Sequence, residues 1–200
     1  MLKREDAKFY SIVGAAGELF SFRSNLFRPL SNNTILDDFI LSMRIVEQGY
    51  VIAYEPEAFA AEAPSQSIED EFTRKVRISS GVWQALGQLP FLFNPFINLK
   101  LFFQFVSHRL LRWTLAPAAM IGMFIANLFL LSEPLYILIF ICQTLFYTWA
   151  LLGFLLKNNR RFPAFLFVPF YYCMMNIAVI VGLSIFFQKK HTALWKKAQR

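Results

Sequence analysis

Three stretches of this chain hold no Asp, Glu, Lys or Arg: Trp113–Ser132 (20 residues), Pro134–Leu156 (23) and Phe162–Phe187 (26). An α-helix rises about 1.5 Å per residue, so roughly 20 apolar residues cross a hydrocarbon layer about 30 Å thick. Each stretch is long enough. Three such helices buried in a water-soluble core would need far more polar chain to cover them than a sequence of 200 residues supplies. Membrane spans are the reading that fits, and none of the three has the N-terminal placement of a signal peptide.

Charge divides the chain at the same place. Residues 1–88 carry 9 basic and 12 acidic side chains, whereas residues 89–200 carry 11 basic and a single acidic one, Glu133. The cations of the second half bracket the uncharged stretches, which is how membrane proteins place them and not how a nucleic-acid surface is built. Cys142 and Cys173 both lie in apolar runs, so neither a metal site nor a disulfide framework is expected. The expected organisation is a water-facing part over residues 1–88, an amphipathic helix in the membrane plane over 89–112, a transmembrane region over 113–187 and a basic tail over 188–200. The in-plane helix is expected because Phe91, Phe93, Phe96, Phe102, Phe103 and Phe105 are joined, in the later part of the segment, by Lys100, His108, Arg109 and Arg112; a simple helical linker is the alternative.

Basic loops set the expected orientation. Arg109 and Arg112 precede the first span, Lys157, Arg160 and Arg161 follow the second, and the Ser132–Pro134 turn has no cation. A cytoplasmic front half, an external turn and a cytoplasmic return satisfy the positive-inside rule, in the plasma or inner membrane of the cell. The third stretch strains it: a further crossing would put Lys189, Lys190, Lys196, Lys197 and Arg200 outside. Either that stretch re-enters, or the tail breaks the bias. Pro163 and Pro169 leave room for a second interfacial segment over Arg161–Tyr172 ahead of a span from Cys173 to Phe187.

In the front half, alternation predicts strands at Ser11–Val13, Glu18–Phe22, Tyr50–Tyr54 and Ala58–Glu62. Helical spacing predicts Ile35–Gln48, stopped by Gly49, and Ser67–Leu86, which has Glu69, Asp70 and Glu71 at its start and Arg74, Lys75 and Arg77 further in. The expected fold class is therefore α/β plus membrane α-helical. Asp37 and Asp38 fall in the first turn of the earlier helix. They read either as an acidic pair favoured by the helix dipole or as a general base, one of two mutually repelling carboxylates aimed into a pocket. Arg74 and Arg77 share a helix face, as a solvated basic face or as bidentate donors to a diphosphate. Gly14 and Gly17 read as an ordinary turn or as a place where backbone closely approaches a ligand.

In this order, the segments Gly14-Ala15-Ala16-Gly17-Glu18-Leu19-Phe20-Ser21-Phe22-Arg23, Asp37-Asp38, Gly49-Tyr50, Tyr54-Glu55-Pro56-Glu57-Ala58 and Arg74-Lys75-Val76-Arg77 resemble the later half of a family-two inverting glycosyltransferase. The subgroup is the membrane-embedded one of the cellulose, hyaluronan and poly-N-acetylglucosamine synthases. Ser107-His108-Arg109-Leu110-Leu111-Arg112-Trp113 and Trp195-Lys196-Lys197-Ala198-Gln199-Arg200 resemble its membrane portion. The resemblance implies a partial GT-A-like domain, Asp38 as the base that deprotonates an acceptor hydroxyl, and Asp37 as its pocket neighbour. Arg77 is implied to neutralise a departing diphosphate, with Arg74 beside it and Gly14 and Gly17 next to the acceptor. Arg74 and Ile78 stand where the family's Q-x-x-R-W motif has Gln and Trp, so long processive synthesis is put in doubt and transfer to a lipid or short acceptor gains weight.

The implied partners are a nucleotide-sugar donor of the UDP-linked kind, a glycan or lipid acceptor and membrane lipids, with Mg²⁺ or Mn²⁺ expected in the full-length enzyme. Nothing in the sequence supplies a D-x-D motif or other metal ligands. The expectation is thus a C-terminal piece of a longer enzyme, inactive by itself, or one completed by a separate chain. A non-catalytic membrane subunit that keeps the fold is the alternative. A small transporter is disfavoured, because no span carries an ionisable residue at mid-membrane.

Overall fold

In the computed structural model, residues 2–61, 67–157 and 163–189 are described. Among the described residues seven α-helices follow in order: α1 Leu2–Phe9, α2 Asp37–Glu47, α3 Ile68–Gln88, α4 Leu99–Phe105, α5 Leu111–Phe129, α6 Pro134–Leu156 and α7 Ala164–Phe187. Short 3₁₀ turns lie at Ser24–Leu26 and Pro90–Phe93, and a π turn at Val106–Leu110 joins α4 to α5.

The expectation of an α/β domain is overturned. Among the described residues there is no strand and no sheet. The extended segments around Ser11 and Ile52 do meet, with Ile12 N–H donating to the Ile52 carbonyl at 3.1 Å. The return bond, however, runs from Ile52 N–H to Ser11 Oγ at 2.9 Å, so a hydroxyl stands where a ladder needs a carbonyl. Glu18–Phe22 begins inside a turn closed by Leu19 N–H on the Ala16 carbonyl, and Ala58 N–H closes another on Glu55. A strand is stable only with a partner that takes its backbone groups; these segments have at most one bond of that kind. Glu62, at the end of the fourth expected strand, lies outside the described residues, as do Arg160, Arg161 and residues 190–200.

α3 starts where its sequence says it must: Ser67 Oγ accepts the Asp70 N–H at 3.0 Å, and Glu69, Asp70 and Glu71 follow in the first turn. α2 has no side-chain cap, and Asp37 and Asp38 fill its first turn instead. The core of the front half joins Val13, Phe39, Ile40, Met43 and Val46 to Val82, Ala85 and Leu86 of α3, and to Leu89, Phe91, Leu92, Leu101 and Phe105 beyond it. The apolar residues of segment 89–112 are thus divided. Leu89, Phe91, Leu92, Leu101 and Phe105 enter this core, while Phe96 (96% exposed), Ile97, Leu99 and Phe103 face outward near Lys100. α1 is tied to the same segment, where Gln104 Nε2 donates to the Asp6 carbonyl at 2.9 Å and His108 Nδ1 lies 2.8 Å from Asp6 Oδ1.

Among the described residues three helical stretches are long and apolar enough to cross a membrane: Leu99–Phe129, Pro134–Leu156 and Phe165–Phe187. α5 and α6 form a hairpin held by Asn127 Nδ2 on Gln143 Oε1 at 2.7 Å and by Tyr147 OH on the Met120 carbonyl at 3.0 Å. Such bonds hold helices together where no water competes. α7 packs on α6 at Gly153, where an added Cβ would lie 2.6 Å from Phe170 Cβ. It is one continuous helix through Pro169, with Pro163 at its N-cap. α7 also lies along α3 from the water-facing part: an added Cβ at Gly182 would be 2.5 Å from Ser79 Cβ, 2.8 Å from Ser80 N and 2.9 Å from the Val76 carbonyl.

Candidate active site

The π turn has a local consequence. Its extra residue per turn rotates Arg109 off the line of the helix, and Arg109 Nη2 donates to the Val13 carbonyl at 2.8 Å. With Trp113 packed edge-on against Phe39 at 6.2 Å between ring centroids, this fixes the start of α5 against the start of α2. Between them, α3 and α7 enclose a cleft of about 1430 Å³.

Asp37, Asp38, Arg74, Arg77 and Gly17 all line it. Gly14 does not. It lies buried behind the cleft in a left-handed conformation (φ +88°), where an added Cβ would come 2.5 Å from the Phe39 ring. Gly17 lies against the carboxylate itself, because a Cβ there would be 2.7 Å from Asp38 Oδ2 and 3.2 Å from Asp38 Cγ. The small residue is required by the neighbouring carboxylate.

Burial is the main reason that Asp38 holds its proton above the ordinary carboxylate range. Asp37 and Glu18 add to the effect, while the Phe39 backbone N–H opposes it. Arg77 is affected in the opposite sense: burial first and Arg74 second weaken its hold on a proton, and Asp37 and Asp38 strengthen it. A guanidinium stays charged under such shifts. An acid disfavoured as an anion and a cation disfavoured as a cation therefore sit within electrostatic reach of each other, across a space open to a ligand. The arrangement can accept a proton at one side and stabilise growing negative charge at the other.

Several contributors carried no signal in the sequence. Gln84, on α3, spans the loop before α2: its Oε1 accepts the Ile35 N–H at 3.0 Å and its Nε2 donates to the Asn33 carbonyl at 2.8 Å. Gly81 lets Ile35 and Leu36 press onto α3, with an added Cβ 2.6 Å from Ile35 Cγ2. Ser42 Oγ accepts the Ala15 N–H at 3.1 Å and secures the Gly14–Gly17 segment. Tyr171, Tyr172, Met175 and Asn176 of α7 form the wall of the cleft shared with the membrane region.

For a divalent metal the residues do not fit. Among the described residues no three His, Cys, Asp or Glu side chains converge to hold an ion.

The described residues thus combine three helices long and apolar enough to cross a membrane with a cleft lined by Asp37, Asp38, Arg74 and Arg77. The family model described as glycosyl transferase family group 2 matches residues 5–185, and the chain belongs to that family. The family implies sugar transfer between a nucleotide-sugar donor and an acceptor. No curated protein and no solved structure is significantly similar to the chain.

Proposed function

We propose that this cleft transfers a glycosyl unit from a nucleotide-sugar, UDP-linked in the simplest case, to an acceptor hydroxyl with inversion at the anomeric carbon. The observation that carries the reading is the convergence of Asp38, from the first turn of α2, and Arg77, from α3, on one cleft. In this reading the acceptor oxygen forms a bond to the anomeric carbon while the bond from that carbon to the diphosphate breaks. The bonding pair leaves with the diphosphate, and the hydroxyl proton passes to the Asp38 carboxylate. Arg77 and Arg74 face the growing phosphate charge, an interaction that strengthens as the transition state is reached. Burial first, and Asp37 beside it, raise the proton affinity of Asp38, which suits a group that accepts a proton.

Ile78 lines the same cleft and offers no aromatic face on which a sugar could stack, which favours transfer of one or a few units over long processive synthesis. Mg²⁺ or Mn²⁺ belongs to the reading as a companion of the donor diphosphate, without ligands from these residues. The cleft is assigned to the cytoplasmic side, where Arg109, Arg112 and Lys157 flank the α5–α6 hairpin.

The test is Asp38→Asn in membranes where the chain supports transfer. A general base contributes roughly 10²–10⁴-fold, so kcat falls by that factor while donor affinity is kept. Transfer at the unaltered rate in Asp38→Asn would refute the reading.

A further inference from the structure

We infer that the acceptor is a membrane amphiphile, a lipid with a hydroxyl-bearing head placed at Asp38 and a hydrocarbon tail lying along α7. The inference rests on the transferase reading and names the substrate class of that site.

The cleft has two chemically different sides. Its floor is polar and charged, with Ser31, Asn32, Asp37, Asp38, Arg74 and Arg77. The lining from α5 and α7 is mostly apolar, with Ala116 from α5 and Phe167, Val168, Met175 and Val179 beside Asn176 from α7. Trp113, Tyr171 and Tyr172 also line the cleft, and such amphipathic rings prefer a boundary between water and hydrocarbon. A water-soluble glycan gains little from Val168, Met175 and Val179, whereas an acyl or prenyl chain exchanges one apolar surrounding for another and keeps its tail out of water.

Part of the apolar lining is also exposed. α5 and α7 both belong to stretches long and apolar enough to cross a membrane, and Val168 is 67% exposed and Tyr172 47% exposed at the cleft edge. A tail can therefore leave the site directly into the bilayer. Head and tail positions are held in fixed register, because the helix that carries Arg74 and Arg77 is the one that α7 packs along. The Gly182 crossing on Ser79 and Ser80 and the Tyr171 OH–Glu71 Oε1 hydrogen bond of 3.4 Å lock that pairing. At about 1430 Å³ the cleft exceeds the usual range of roughly 300–1,000 Å³ for a single small ligand, which leaves room for a donor and a lipid head together.

The experiment uses the full chain in phosphatidylcholine nanodiscs that contain a diacylglycerol with a diazirine in its acyl chain. Cross-linked peptides are mapped by mass spectrometry. Labelling is expected to concentrate on Phe167–Val179 and Trp113–Ala116. Unlabelled diacylglycerol should compete it away, a soluble tetrasaccharide of glucose should not, and Val168→Trp with Met175→Trp should lower it roughly tenfold. Leu151→Trp, on the outer face of α6, should leave it unchanged, and melting curves check that the variants fold. The wild-type competition reads the same site without any variant. Labelling spread evenly over the outward faces, Leu138 and Leu151 included, or displaced by the tetrasaccharide, overturns the lipid assignment.

The two readings fail separately. Transfer that depends on Asp38 together with diffuse labelling removes the lipid and leaves the transferase. Focused labelling with no effect of Asp38→Asn on transfer removes the transferase and leaves a lipid site.

Discussion

Gly17→Ala isolates the Asp38 carboxylate from everything else in the fold. The glycine is exposed, and its backbone is not left-handed, so alanine meets no conformational penalty. What it meets is Asp38, with the new Cβ 2.7 Å from Oδ2 and 3.2 Å from Cγ. Ordinary contact begins near 3.4 Å, so the carboxylate has to retreat by about 0.7 Å, a displacement of the size that costs a reacting pair up to roughly 10²-fold. Stability should barely change, within about 0.5 kcal/mol, because no core contact is made or lost. Gly87→Ala is the matched control: it lies near the end of α3 with nothing within 4 Å of its added Cβ, and should stabilise the helix by about 0.5–1 kcal/mol with transfer unchanged. Melting curves and initial transfer rates on the two variants, measured in the same membranes, decide the matter. If Gly17→Ala and Gly87→Ala show equal rates, position 38 does not act at the reacting centre.

Three further outcomes follow from the same geometry. Burial raises the proton affinity of Asp38, so the folded state gains stability from this group at low pH and loses it as pH rises through the raised value; Asp38→Asn should melt higher than the wild-type chain at pH 7, and the difference should shrink on acidification. A lower melting temperature for the asparagine variant at pH 7 would contradict the burial argument. Gln84→Leu leaves the buried Ile35 N–H without its acceptor, at a cost of about 1–3 kcal/mol, and amide exchange at Ile35 should accelerate roughly tenfold or more, whereas Gln84→Glu keeps the acceptor and should restore most of the protection. Gly182→Val drives a side chain into the backbone of α3 at Ser80 and Val76 and should cost about 1–3 kcal/mol in a detergent melt; Gly122→Val, with open space around it, should stay near wild type.

The helices were legible because their signals are local. Ser67 followed by three acids marks the start of α3, and Gly49 marks the stop after α2, within one or two residues of the observed ends. The uncharged runs marked α5, α6 and α7 for the same reason, since length and charge need no knowledge of neighbours. The strands failed because alternation reports an extended segment with one covered side and says nothing of whether a second strand lies beside it. Ser11 and Ile52 show the difference: their segments are extended and adjacent, yet a hydroxyl takes the bond that a carbonyl would need to begin a ladder. Of the candidate site, Asp37, Asp38, Arg74 and Arg77 were singled out through the family resemblance and do line one cleft, but the groups packed behind them left no mark in the sequence. Gln84 reaches back 49 residues to Ile35, and no periodicity encodes such a contact.

The position of α7 also bears on the strain between the third apolar stretch and the basic residues that follow it. A helix surrounded by lipid has no reason to bring a glycine into the backbone of a charged, amphipathic neighbour, yet Gly182 does this against α3, and Tyr171 reaches Glu71 on the same helix. Part of the apolar surface of α7 is therefore satisfied by protein, and part of the polar site is walled by α7. The two facts are one arrangement, because the face of α3 that carries Arg74 and Arg77 is lined up by the contact that fixes α7. Separating α7 from α3 should accordingly disturb the charged floor of the cleft as well as its apolar wall. For that reason Gly182→Val is expected to weaken diphosphate recognition, although position 182 is absent from the lining of the cleft.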